Sequence, residues 1–502
     1  MTPSASAAPA ASDLPVRLRG ALQHAGFTYD GVAEVLGPEG HAALMRNETT
    51  PARRRTTGGS AVETLARLFL LQTPVPVADA ETALPGLLDR LTAEGLVEQS
   101  VSEVAARLDI RPYAADDEAF WVVSDLTPGL DGGPQRVGTD HVLGISSAST
   151  SLAQLTIREP VGRALDLGTG CGVQALHLAG HADRVVATDV NQRALRLTRF
   201  NAALNGVADR IDVRDGSYFQ PVAGERFDLI ATNPPFVISP GTGERLVYRD
   251  SGLPGDRVVE DIVRAAPDHL TEGGWCQVLA NWVIAEGRAW DERLSEWLVG
   301  DCDALVVQRE VVDPSVYVEL WLKDAGLHGT PDYLRRYDTW LSWFEEQGVE
   351  GIGFGWINLR ATGAQPGAQP GAVEVVSDFL EWPYDVEQPI APAIQAWGEA
   401  VRADVDLDTH LVARPDVRQE TAGPAGAEDP ETIVLRQQRG FRRARQADTI
   451  EAAMVGASDG ELSLGQILEA VATLTDAEPD MVRDAYLPVA REMVREGFLE
   501  VE

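Results

Sequence analysis

Four consecutive residues, Asn233-Pro234-Pro235-Phe236, combine the groups needed to grip a planar amino group. An NH2 on a carbonyl or an aromatic ring has its lone pair delocalised and is a poor nucleophile. The Asn233 side-chain oxygen and the Pro234 carbonyl can each accept one of its two N–H bonds, drawing the nitrogen toward a more nucleophilic, pyramidal geometry. Pro235 stiffens the turn so that neither acceptor swings away, and Phe236 offers a flat apolar face for stacking. A second set lies upstream, in Asp166-Leu167-Gly168-Thr169-Gly170-Cys171-Gly172. Its glycines let the main chain turn sharply and let a ligand approach backbone N–H groups with no Cβ in the way.

The elements that must position these groups can be read from the same stretch. An apolar strand ending at Leu167 leads into the glycine turn and then into a helix from Val173 to Ala179. The strand Arg184 to Asp189 ends on a carboxylate, where an α/β sheet often reads a ribose. A helix from about Gln192 to Asn205 follows, then a strand from Ile211 closed by Asp215-Gly216-Ser217, placing Asp215 to accept from an adenine amine. The strand Phe227 to Thr232 runs directly into Asn233. Four strand ends thus face one ligand. The spacing G-x-G-x-G, with Asp166 two residues ahead, departs from the G-x-G-x-x-G of dinucleotide sites.

This block, roughly residues 140 to 360, resembles the class I S-adenosylmethionine-dependent methyltransferases, in the branch that carries an N-P-P-[FY] tetrapeptide. The resemblance implies an α/β, Rossmann-like domain with a seven-stranded, mostly parallel sheet, and S-adenosylmethionine as cofactor. It implies that the glycine turn, with Asp166, Gly168, Thr169, Gly170 and Gly172, holds the methionine part of the donor. Asp189 would take the ribose and Asp215, beside Gly216, the adenine, with Asp212 as the nearby competitor for Asp215. Asn233 would border the donor and, with Pro234, Pro235 and Phe236, form the catalytic acceptor site. Asp140, His141 and Ser146, in the segment before the glycine turn, would help close the donor pocket. The sulfonium donor is already activated, so positioning and electrostatics supply most of the acceleration, with no metal and no dedicated strong base.

Each feature alone has a blander explanation, since glycine turns, aspartates at strand ends and Pro-Pro turns all arise for folding reasons. Their occurrence in this order argues for chemistry. Composition agrees with a globular enzyme of more than one domain: 502 residues, 44% of them hydrophobic. Lys323 is the sole lysine, so lysine-based covalent chemistry in the core is excluded. Cys171, Cys276 and Cys302 are scattered without metal-ligand spacing, which predicts a reducing, cytoplasmic setting and no structural metal. The longest apolar stretches fall short of the ~20 residues of a membrane helix. The net charge of −35 opposes broad nucleic-acid binding. Two arginine-rich runs, Arg53 to Arg55 and Arg436 to Arg445, keep nucleic acid open as a substrate, although such runs are more often solvated faces.

The expected organisation is a disordered tail at 1–12, a winged-helix-like accessory domain at 13–130, the methyltransferase domain at 131–360, a flexible linker at 361–372 and a mostly helical portion at 373–502. In the accessory domain, helical periods at Leu18 to Ala25, Ala61 to Leu71 and Leu87 to Leu96 precede expected strands at Val104 to Ile110 and Ala119 to Ser124. The mixed charge of Asp89, Arg90 and Glu94 on its candidate recognition helix suits substrate recognition or packing better than phosphate binding. Residues 238–254 read as a mobile loop able to cover the acceptor. Beyond it, a helix from about Gly255 to Leu270, a turn at Thr271 to Gly274 and strands at Trp275 to Ala280, Ala304 to Arg309, Tyr317 to Leu322 and Gly351 to Leu359 complete the sheet, with an aromatic helix from Tyr333 to Phe344 inserted. Its stripe of rings reads as core.

The resembling branch includes enzymes acting on glutamine side chains of release factors, on guanine N2 of rRNA and on adenine N6. Phe236 and Ala280-Asn281 look more like the guanine enzymes, while the single catalytic domain and acidic surface look more like the glutamine enzymes. A macromolecular acceptor of the translation apparatus, protein or RNA, is expected, with glutamine marginally ahead and no membrane partner. A small-molecule N-methyltransferase and a non-catalytic S-adenosylmethionine sensor that reads DNA are the alternatives. An intact acceptor tetrapeptide argues against the sensor.

Overall fold

The computed structural model describes residues 13–115, 118–133, 138, 140–241, 252–362, 374–424 and 430–502. The expected tail, most of the 238–254 loop and nearly all of the linker lie outside them. The chain divides into two compact units: Met1–Ala153 with Glu159–Cys302 and Val306–Val373, and Gln154–Arg158 with Asp303–Leu305 and Glu374–Glu502. The accessory and methyltransferase regions therefore fall within one unit.

That unit opens with α1 (Leu14–His24), α2 (Tyr29–Leu44), α3 (Thr50–Arg55) and α4 (Ala61–Leu65), the last continued by a π turn at Ala66–Leu70. Next come β1 (Val75–Pro76), α5 (Val77–Ala83), α6 (Leu88–Ala93), β2 (Val97–Gln99) and β3 (Glu103–Ala106), whose strands form a small sheet in the order β1-β3-β2. A separate antiparallel pair follows, β4 (Leu108–Ala115) with β5 (Glu118–Asp125). The strand expected at 104–110 thus straddles two sheets. Its apolar alternation runs on without a turn residue, so the break at Arg107 carries no sequence signal.

The central sheet follows α7 (Ser147–Leu155). It contains β6 (Val161–Leu167), α8 (Val173–Ala179), β7 (Ala182–Asp189), α9 (Gln192–Asn205), β8 (Ile211–Asp215), β9 (Phe227–Thr232), α10 (Arg257–Ala265), β10 (Leu270–Ala285), α11 (Trp290–Ser295), β11 (Cys302–Val312), α12 (Pro314–Asp324), α13 (Pro331–Glu346) and β12 (Val349–Ala361). Among the described residues the sheet has eight strands where seven were expected, and seven of them run in the order β11-β12-β10-β9-β6-β7-β8. Pairings from β10 through β9, β6 and β7 to β8 are parallel, and β12 lies antiparallel to β10. The Rossmann-like α/β class expected from the sequence holds. The chain moves outward from β6 to β8, then returns to the other side of β6 as β9, and ligands of such sheets bind at the carboxyl ends beside that reversal.

Two expectations for the last strands are corrected. Residues 317–322 are not a strand but part of α12. Asp313 caps it by accepting from Ser315 N at 2.8 Å, Pro314 fits the first turn, and Tyr317, Val318, Trp321 and Leu322 form one buried helical face. The turn expected at Thr271 to Gly274 is instead an irregularity inside β10, which pairs with β9 at Leu270↔Phe227 and again at Trp275↔Leu229. The preceding helix ends at Ala265 and is extended by a 3-10 turn, Ala266–His269. The aromatic stripe of α13 is core as expected: Trp340 and Phe344 are buried in a cluster with Val237, Ile238, Tyr317 and Ile352.

The second unit is mixed rather than mostly helical. It holds β13 (Ser377–Glu381), α14 (Ala391–Ala400), β14 (His410–Ala413), β15 (Val417–Ala422), β16 (Thr432–Gln437), β17 (Ala444–Ala447), α15 (Thr449–Ala457), β18 (Asp459–Ser463), α16 (Leu464–Leu474), α17 (Pro479–Glu496) and β19 (Leu499–Val501). Two three-stranded sheets, β15-β16-β17 and β18-β14-β19, contribute. β15 is largely exposed and polar, so its sequence lacks the apolar rhythm that marks a strand. Leu411, Met454, Leu464, Leu468, Met493 and Phe498 are among the buried residues of its core.

Candidate functional site

β6 and β9 end side by side, and this register brings the two halves of the site together. Leu167 pairs with Thr232, whose hydroxyl donates to the Leu167 carbonyl at 2.7 Å, so Gly168 and Asn233 leave the sheet from adjacent strands. On the other flank Leu167 pairs with Thr188, and Asp189 with Asp215. Above these ends lies a cavity of about 1450 Å³. Gly168, Thr169 and Gly170, Asp189, Gly216 and the whole tetrapeptide Asn233 to Phe236 line it.

The glycine turn is held from beneath. Asp166 is 2% exposed, and its Oδ2 accepts from Thr169 Oγ1 at 2.6 Å and from Ala175 N at 2.9 Å. Burial pushes its carboxyl up to about 7, against the lowering effect of these two bonds. Asp189 accepts from Gly170 N at 2.9 Å and Asn191 N at 2.8 Å, and burial raises its carboxyl above the usual range, with the neighbouring Asp215 charge adding to the effect. Gly168, Gly170 and Gly172 have φ values of 78°, 57° and 84°. A Cβ added at Gly168 or Gly170 would meet no atom within 4 Å, which leaves room for a ligand. At Gly172 it would meet Thr198, so that glycine serves helix packing against α9. The Cys171 thiol is pushed up to about 12 by burial and is no nucleophile.

Asp215 is exposed at the end of β8, and Gly216, Ser217 and Tyr218 after it line the cavity while Asp215 itself does not. Asp212 sits further back, opposite Val186, with its carboxylate 2.8 Å from Arg214 Nε. Of the two, Asp215 shares the strand-end position of Asp189. Asp140, His141 and Ser146 all line the cavity.

At the tetrapeptide, the Asn233 Oδ1 atom is buried and has no hydrogen-bond partner among the described residues. Phe236 meets Trp321 edge to face at 6.3 Å. The chain after the tetrapeptide is anchored by Tyr317, whose fully buried hydroxyl accepts from Ile238 N at 2.9 Å and from Asn281 Nδ2 at 3.3 Å. Arg309, with its guanidinium 5.1 Å from the Trp356 ring, and Glu310 also line the cavity. Reading residues 317–322 as a strand hid Tyr317 and Trp321 from view. Tyr218 was also missed; its φ of 46° is unusual for a non-glycine residue.

The run at 436–445 is largely paired with acids, and in the run at 53–55 Arg53 is. Arg53 pairs with Asp131, Arg436 with Glu420, Arg439 with Glu387, and Arg445 with Glu451, Glu492 and Glu496. Among the described residues no cluster of His, Cys, Asp and Glu could hold a metal ion, and no helix is long and apolar enough to cross a membrane.

Residues 144–299 match the methyltransferase small domain family, and residues 24–107 and 393–501 each match a domain of unknown function. Among curated proteins, the ribosomal protein uL3 glutamine methyltransferase of Bradyrhizobium diazoefficiens is 37% identical over 210 residues, 40% of this chain and 62% of that protein. The release factor glutamine methyltransferase of Xylella fastidiosa is 34% identical over 132 residues, 24% of this chain and 47% of its own. The ribosomal RNA small subunit methyltransferase C of Klebsiella pneumoniae is 32% identical over 192 residues, 37% of this chain and 50% of its own. The matches thus span between about half and 62% of these relatives.

Proposed function

We propose that this chain, whose residues 144–299 carry a methyltransferase small domain, transfers a methyl group from S-adenosylmethionine to a planar NH2 of a macromolecule. The observation that carries this reading is the buried, unpartnered Asn233 oxygen, on the same cavity wall as a glycine turn with open space over Gly168 and Gly170. An acceptor amine satisfies that oxygen, and leaving it unmet costs about 1–3 kcal/mol.

The donor, when bound, supplies a methyl group on a positively charged sulfur. Gly168, Thr169 and Gly170, braced from beneath by Asp166, hold its methionine part, Asp189 its ribose, and Gly216, next to Asp215, its adenine. Asn233 and the Pro234 carbonyl take the two acceptor N–H bonds, and Pro235 fixes the turn. Phe236, braced by Trp321, gives the acceptor plane a face. Tyr317 holds the following backbone in place through Ile238. Excluding water from this cavity strengthens each of these interactions.

Glutamine on a protein of the translation apparatus is the acceptor we favour over an RNA base. Of the arginines in the two runs, Arg53, Arg436, Arg439, Arg443 and Arg445 are paired with acids, and the chain carries a net charge of −35. The winged-helix-like accessory region, residues 13–130, is assigned to substrate recognition or packing rather than to DNA binding. The buried cysteines Cys171, Cys276 and Cys302 suit the cytoplasm. The test is transfer of radiolabelled methyl from S-adenosylmethionine into lysate of a strain lacking this gene. Label released by protease and resistant to nuclease supports the protein acceptor; nuclease-sensitive label moves the function to RNA or DNA, and no macromolecular label contradicts the proposal.

A further inference from the structure

Two asparagines one turn apart on α9, Asn201 and Asn205, bind the edge of β5 as a neighbouring strand would. Asn201 Oδ1 accepts from Val123 N at 2.8 Å, and its Nδ2 donates to Val123 O at 2.8 Å. Asn205 repeats the pattern on Trp121, with Oδ1 accepting from Trp121 N at 2.9 Å and Nδ2 donating to Trp121 O at 2.8 Å. The fit is geometric: four residues of helix rise ~6 Å, close to the ~6.6 Å spanned by two residues of a strand. Pro112, which has no N–H to give, lies opposite Trp121, consistent with the Trp121 backbone groups facing away from β4. The contact replaces a missing third strand of this two-stranded sheet. Beside it, Arg193 Nε lies 2.9 and 3.0 Å from the Asp125 carboxylate oxygens, and Trp121 donates its indole N–H to Phe27 O at 2.7 Å, tying the hairpin into the N-terminal helices.

Asn201 also reaches the glycine turn. Its Nδ2 also donates to the carbonyl of Cys171, inside the glycine turn, at 2.8 Å, and the side chain is wholly buried. One turn earlier on the same helix, Thr198 Oγ1 donates to Gly170 O at 3.0 Å. The α9 face that grips the N-terminal hairpin therefore also holds the main chain of the glycine turn, and a single amide group is shared between the two.

We propose that Asn201 is a positioning residue that links seating of the N-terminal hairpin to the donor-binding form of the glycine turn. The hairpin leaves α9 only when the turn loosens, and a bound donor keeps it seated. The linkage is reciprocal, so a partner that displaces the hairpin weakens donor binding by the same factor. It rests on the donor reading above.

The test is hydrogen exchange on the full chain with and without S-adenosylmethionine at a hundred times its measured Kd, read at the Trp121 and Val123 amides, the two N–H groups that the asparagines bind. Their protection is expected to rise by about a hundredfold, the factor by which that ligand excess favours the seated state. Amides of the 97–106 hairpin, which make none of these bonds, are expected not to change. Asn201→Ala is expected to abolish the rise at saturating donor, whereas Asn205→Ala, which removes a contact to the strand but not to the turn, lowers basal protection and keeps the rise. Unchanged protection in the donor-saturated wild-type chain overturns the linkage, a comparison that needs no variant to fold. A rise that persists in Asn201→Ala overturns the role of that residue. If calorimetry shows a folded chain with no affinity for S-adenosylmethionine, the donor reading fails first and the linkage with it.

Discussion

Alanine at Gly170 and at Gly172 should separate the ligand-facing part of the glycine turn from its structural part. Both positions have positive φ, 57° and 84°, so a side chain at either costs about 1–2 kcal/mol. At Gly170 little else is lost, because the new methyl meets nothing within 4 Å. At Gly172 the added Cβ would lie 2.9 Å from Thr198 Cγ2, 3.1 Å from its Oγ1 and 3.2 Å from its Cα. Thr198 is 1% exposed and its hydroxyl already holds Gly170 O, so it has little freedom to yield. Overpacking of this kind adds roughly 1–3 kcal/mol. Gly172→Ala should therefore lose about 2–5 kcal/mol of unfolding free energy, and Gly170→Ala about 1–2. Denaturant titration without ligand measures this difference, and calorimetry measures donor affinity. Gly170→Ala, which fills the space we assign to the donor, should weaken binding by at least ~10-fold, or about 1.4 kcal/mol. Equal stability losses, or normal donor affinity in Gly170→Ala, would refute the reasoning.

Other consequences can be checked on the same preparations. Asp189→Ala should weaken donor binding by about 1–3 kcal/mol; unaltered affinity by calorimetry removes this carboxylate from the donor site. The raised Asp166 carboxyl means that the unliganded fold holds a proton that the unfolded chain releases between its ordinary 3.8 and about 7. This group's contribution to stability accordingly falls as pH rises through that window, and Asp166→Asn should flatten the decline seen by urea titration at pH 5, 6 and 7.5; an unchanged slope contradicts the assignment. Tyr317→Phe removes the acceptor for Ile238 N–H, worth roughly 1 kcal/mol or more. Turnover should fall about 5- to 10-fold with donor affinity intact, and a matching loss of donor affinity would place Tyr317 in the general core instead.

The elements around the glycine turn were legible because they are regular and their punctuation is local. The strand Phe227–Thr232 and the helix Gln192–Asn205 lie where the sequence places them, the latter between the Asn191 cap and Gly206. The acceptor side was harder to read. Tyr317 to Leu322, Tyr-Val-Glu-Leu-Trp-Leu, is rich enough in aromatic and aliphatic residues to pass for a strand, and Asp313-Pro314, which starts a helix there, is the signal that could have decided it. Arg107 divides two sheets without any turn residue. The coupling through Asn201 was not visible because a polar residue on the inner face of a helix shows only that a partner must exist. The partners here, Val123 and Cys171, lie 78 and 30 residues earlier in the chain. The arginine run at 436–445 reads as a basic patch until the glutamates that face it are known, two of them, Glu492 and Glu496, on α17.

The central claim is that Asn233 acts on the acceptor and not on the fold or the donor. Its most direct test is Asn233→Ala, compared with the wild-type chain in donor calorimetry and in methyl transfer to the acceptor fraction identified by radiolabelling. The account predicts donor affinity within about threefold of wild type and transfer reduced by at least ~100-fold, since only acceptor positioning is lost. Transfer at the wild-type rate would contradict it.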